Sequence, residues 1–178
     1  MKILKPTAII LLSVTIVICT AFLFFLNSLK LDEAVYLNDQ ARFNLLIASD
    51  ATTFKDRLRR LVINNYKEYA NIKVINIANL RSTDTSKFDA ILILETCIAC
   101  NDIEPGITKY LEHTTDAERL VFIMTFGDSR DKFSRTRIDA ISSASRTRSI
   151  EPLYLKITAA IDEMIIRQHA AGPRHNTG

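Results

Sequence analysis

Hydrophobic and polar positions along the chain follow two rhythms. Phe43 to Ser49, "FNLLIAS", is a continuous apolar run of strand length, the pattern of a strand buried on both faces. Directly after it, Phe54, Leu58, Leu61, Val62, Tyr66 and Tyr69 recur at helical spacing, with Lys55, Arg59 and Lys67 elsewhere on the cylinder. "IKVINIA" at 72–78 is β-branched and predicts a second strand, and "FDAILILE" at 88–95 predicts a third, fully buried one. "EPGITKYLEH" at 104–113 predicts a helix with proline near its start. "RLVFIMTFG" at 119–127 predicts a fourth strand, "RIDAIS" at 137–142 a short fifth, and "EPLYLKITAAIDEMIIRQ" at 151–168 a closing helix. The polar stretch 79–87 is too short for a full helix between strands. The link at 128–136 is also short, so the fifth strand is either parallel through an abbreviated crossover or antiparallel. Strands alternating with helices predict an α/β fold, a doubly wound, mostly parallel sheet of about five strands.

The first thirty residues follow neither rhythm. Thr7 to Leu29 carries no charge over 23 residues, which at helical rise is roughly 34 Å, enough to cross a bilayer core. A cleaved signal peptide has a shorter apolar region and a small-residue cleavage site, and "FLNSLKLDEA" offers none. The segment therefore predicts an uncleaved transmembrane signal anchor. Lys2 and Lys5 precede it and Lys30 follows it, so the positive-inside rule places the C-terminal domain on the exported side of the cell membrane. The expected organisation is a flank at 1–6, the anchor at 7–29, a juxtamembrane linker at 30–42, one domain at 43–167 and a tail at 168–178. Without Lys2 and Lys5 the chain has 21 basic and 20 acidic side chains. That balance gives no reason to expect a nucleic-acid partner.

Several of these segments resemble the flavodoxin family. "IASDATTFKD" is similar to the flavodoxin phosphate loop, (Ser/Thr)-x-Thr-Gly-x-Thr. Ser49 matches the first hydroxyl and Thr53 the variable position, while Ala51, Thr52 and Phe54 stand where the family has Thr, Gly and Thr. "KFDAILILETCIACNDIEPGITKYL" resembles the family's third strand and flavin-covering loop, and "RLVFIMTFGDS" its next strand and turn. The resemblance implies a flavodoxin-like fold with FMN as cofactor, electron transfer as activity and a redox or membrane protein as partner. The flavin would rest on Ser49, Asp50, Thr52 and Thr53, walled by Thr96, Asn101, Thr125, Phe126 and Gly127. A shorter stretch, "IDAISSASRTRS" at 138–149, resembles the flavinylation motif of exported FMN-binding domains, with Ser145 at the acceptor position.

The same residues have plainer readings. Glycine lets a backbone approach phosphate closely, whereas Thr52 is β-branched. Thr52 or Thr53 would also serve simply as the N-cap of the helix that follows. A non-catalytic interaction or sensing domain is therefore the alternative to a flavin module. Cys97 and Cys100 form a C-x-x-C after the third strand, which is incidental, a small-loop disulfide or a redox pair. Arg130, Lys132, Arg135, Arg137, Arg146 and Arg148 make a basic cluster that is either a solvated face or an anion patch. His113, His169 and His175 have no nucleophile or metal-ligand pattern around them, and no hydrolase motif occurs. No metal site is expected.

Overall fold

A computed structural model describes residues 13–20, 31, 33–97, 105–115, 117–126, 140–144 and 150–170. The chain divides into two compact units, Met1–Lys30 and Leu31–Gly178. In the first, residues 13–20 are helical. Among the described residues no helix is long and apolar enough to cross a membrane, and most of Thr7 to Leu29 lies outside them.

Among the described residues the second unit is an α/β domain built on a sheet of six strands. Its strands are β1 (Ala34–Tyr36), β2 (Phe43–Ser49), β3 (Ala70–Asn76), β4 (Ala90–Cys97), β5 (Leu120–Phe126) and β6 (Ala140–Ala144). Across the sheet they run β1-β3-β2-β4-β5-β6. The five strands from β3 to β6 are mutually parallel, and β1 lies antiparallel on the outer edge of β3. The fifth strand expected from the sequence is thus parallel, and it begins at Ala140 rather than at residue 137. The segment expected as a linker at 30–42 contributes β1, and Leu31 is buried in the core. A strand of three residues has too few positions to show a period, which is why the pattern missed it.

Helices α1 (Thr53–Tyr66), α2 (Pro105–His113) and α3 (Ile150–Ala170) cover the sheet unequally. On one face Leu58, Val62, Ile63 and Tyr66 of α1 pack with Leu153, Ile157 and Ile161 of α3 over Leu45, Ile47, Ile72, Val74 and Leu92. The opposite face carries α2, through Ile107 and Leu111, and a 3₁₀ segment, Ile77–Ser82, through Ile77 and Leu80. The polar stretch at 79–87 does lack an α-helix. Two short 3₁₀ turns, Ile77–Ser82 and Thr85–Lys87, make that crossover. Alternate strand residues feed the two faces, Leu45 and Ile47 one and Leu46 and Ala48 the other. Hence the central strands read as unbroken apolar runs.

Two polar contacts tie the periphery to this core. One oxygen of the Glu33 carboxylate accepts from the Asn76 backbone N–H at 3.0 Å and from Asn79 Nδ2 at 2.8 Å. These bonds hold its pKa below the ordinary glutamate value. The Tyr66 hydroxyl, at the buried junction of α1 and α3, donates toward Asp162 Oδ1 at 2.8 Å, with the Thr158 carbonyl at 3.1 Å. Burial first, and then Asp162, push its pKa well above that of a free tyrosine.

Candidate functional site

In a parallel sheet, ligands collect beyond the carboxyl ends of the strands, where neighbouring connections leave on opposite faces. Here β2 is that point: its connection to β3 passes over the α1 face and β4 lies on its other side. Ser49, Asp50, Thr52 and Lys55 lie at the end of β2 and the start of α1, and Glu95 and Thr125 lie near the ends of β4 and β5.

Thr52 is the N-cap of α1. Its backbone is extended (φ −127°, ψ 149°), and its hydroxyl accepts from the Lys55 backbone N–H at 3.3 Å. With φ negative, the position demands no glycine, so threonine sits there without strain. Ser49 is fully buried, and its hydroxyl donates to the Asp50 carbonyl at 2.8 Å. Thr53 opens the helix and is exposed. The Ser49 hydroxyl donates its proton to the Asp50 carbonyl, and the Thr52 oxygen takes up the Lys55 backbone N–H that a phosphate at this helix start would otherwise meet.

Lys55 is the residue that the sequence reading misplaced. Instead of lying elsewhere on the cylinder, it shares the buried stripe of Leu58, Val62 and Tyr66 and has 0% of its surface exposed. The spacing 55, 58, 62 was the available signal, but a charge on an apolar stripe reads as an edge position. Its ammonium forms an ion pair with the Asp50 carboxylate, which is 37% exposed. Burial pulls the Lys55 pKa below the ordinary lysine value, and Asp50 and then Glu95 oppose that shift. Glu95 is itself buried, with 7% exposure. The Thr125 hydroxyl, also buried, donates to the Glu95 backbone carbonyl at 3.0 Å and fastens β5 to β4 beside the cluster.

The structure therefore brings Ser49, Asp50, Thr52, Thr53 and Thr125 to one sheet edge and adds Lys55 and Glu95. Thr96, Cys97 and Phe126 are the last residues of β4 and β5 and end at this edge too. Cys97 is the last residue of β4. Asn101, Gly127, Ser145, Cys100 and the arginines 130, 135, 137, 146 and 148 lie outside the described residues. Ser142 and Ser143, within the stretch that resembles the flavinylation motif, belong to β6. Among the described residues no group of His, Cys, Asp or Glu could hold a metal ion.

Chemically, the cluster sets one buried ammonium, that of Lys55, between the part-exposed Asp50 carboxylate and the buried Glu95, which is not an open anion cradle. A phosphate approaching α1 would meet the Asp50 carboxylate, and Lys55 already serves that carboxylate. No protein-family model, curated protein or solved structure matches the chain.

Proposed function

We propose that this chain is a membrane-anchored domain of flavodoxin-like fold that works as a non-catalytic interaction or sensing module. The strand order supports the fold reading. With the edge strand set aside, β3-β2-β4-β5-β6 is the 2-1-3-4-5 order of flavodoxin-like sheets. Thr7 to Leu29 is the anchor in this reading, and the domain lies on the exported side of the cell membrane, where it meets a membrane or redox protein partner.

One observation carries the choice of a non-catalytic role over FMN-dependent electron transfer. The loop that would cradle the FMN phosphate is filled by its own chemistry. Lys55 is spent on Asp50, Ser49 on the Asp50 carbonyl and Thr52 on capping α1. Binding FMN there would break the ion pair and bring a phosphate dianion beside a carboxylate, a cost that good stacking of the flavin ring would have to exceed.

Visible absorption of the purified full chain in detergent tests this reading. No flavin band is expected as isolated, and none after incubation with FMN followed by desalting. Stoichiometric yellow colour that survives desalting would instead make the protein a flavin module. Colour that also survived acid would point to Ser145 as its attachment point.

A further inference from the structure

The carboxyl edge that carries Ser49, Asp50 and Thr52 is also the edge at which the chain enters the domain. β1 runs antiparallel to β3, and its first residue, Ala34, stands opposite Val74, two positions from the end of β3. Just before it, Glu33 accepts from the Asn76 backbone N–H and from Asn79 Nδ2, which lie at and beyond the end of that strand. Asn76 is in turn the partner of Ser49, the last residue of β2. Leu31 is 7% exposed and belongs to the core, so the backbone is already fixed at that point. The other end of the domain departs from the opposite edge. Gln168, near the end of α3, donates to the Asp89 carbonyl just before β4 at 2.6 Å.

We propose that this carboxyl edge is the membrane-facing surface of the domain, and that its partner there is the headgroup layer of the bilayer. The inference rests on the reading of Thr7 to Leu29 as an anchor, and it names what the module meets at its candidate site. Lengths carry the argument. Two residue steps separate Leu29 from Leu31, about 7 Å at full extension. A seven-residue strand such as β2 sets the two edges of the sheet about 20 Å apart. So short a tether holds the entry edge at the headgroups, and the amino edge stands a strand length further out. Among the described residues Thr52, Thr53, Ala78 and Asn79 are exposed along the entry edge, a polar surface suited to a hydrated layer rather than to the hydrocarbon. Asp50 and the start of α1 then face lipid headgroups, not the bulk solution.

The test uses the full chain in phosphatidylcholine nanodiscs, with the native cysteines replaced by serine and one cysteine at a time returned to carry a fluorescent label. Thr53→Cys and Ala78→Cys sample the carboxyl edge, and Leu37→Cys and Glu68→Cys, both exposed, sample the amino edge. Lipid that carries a spin label on its headgroup should quench the first two labels at least about twofold more strongly than the last two, given the strand length between them. A label on the native Cys19, with lipid spin-labelled in its acyl chain, reports on the anchor separately. Strong quenching at Cys19 with equal quenching at all four domain sites overturns the orientation and leaves the anchor standing. Stronger quenching at Leu37→Cys than at Ala78→Cys does the same, since it lays the β1 side along the bilayer. No quenching at Cys19 overturns both readings. Each edge is sampled on two different elements, so the comparison survives the loss of one variant, and far-UV circular dichroism shows which variants keep the fold.

Discussion

Lys55 is a cation that folding removes from water, and its energetics follow from that. Its folded pKa lies below the ordinary value of 10.5. Between the folded value and 10.5 the unfolded chain holds the extra proton, so stability rises with pH through that window and is lost again as pH falls through the folded value. Urea unfolding of the wild type and of Lys55→Met, each at neutral and at alkaline pH, should show the wild type gaining relative to the variant as pH rises. Asp50→Ala removes the main influence that holds the lysine pKa up, so the window widens. The same change leaves a buried ammonium without its ion pair and should cost about 2 kcal/mol at neutral pH. That is below the cost for a fully buried pair, because Asp50 is partly solvated. An unchanged urea midpoint in Asp50→Ala would mean that the pair contributes nothing. Little of this residue's role was legible in the sequence. The 55, 58, 62 spacing places it on the buried stripe, yet only the neighbouring carboxylates, Asp50 just after β2 and Glu95 in β4, explain how a charge survives there.

At the scale of elements, the junction of α1 and α3 rests on Tyr66. Tyr66→Phe keeps the ring and loses the hydrogen bond to Asp162, which should cost about 1 kcal/mol. Tyr66→Ala opens a cavity under both helices and should cost about 3–5 kcal/mol, read from the same denaturation curves. The elements were the most legible level. "FNLLIAS" is β2 residue for residue, and the two later helices differ from expectation by one or two positions. These segments are long enough for burial to print a period on them. Three features were not legible. β1 is too short to show a pattern, the direction of β6 depends on a neighbour distant in sequence, and Tyr69 continues the apolar spacing beyond the end of α1. Tyr69 packs instead against Phe43 and Tyr66, at ring separations of 6.0 and 5.7 Å.

At the scale of the molecule, the proposed anchor at Thr7 to Leu29 is open to test by fractionation. The full chain is expected to stay with membranes through alkaline carbonate and to leave them in detergent, whereas Leu31–Gly178 alone should remain in the supernatant. Recovery of the full chain in the carbonate supernatant would remove the anchor from the proposal. Of the candidate site, the sequence put Ser49 and Thr52 at the strand-to-helix turn where the structure has them, but it did not show the buried Lys55 paired with Asp50 beside them. The aromatic core has an optical consequence. The chain has five tyrosines and no tryptophan, and Tyr66 is wholly buried with its hydroxyl bonded to a carboxylate. Ultraviolet emission from this protein is therefore tyrosine emission alone. The ring whose hydroxyl contacts a carboxylate is a quenched one, so its light should return as the α1–α3 junction opens. The protein thus carries a native fluorophore that reports on its own core, in a part of the spectrum well separated from any flavin.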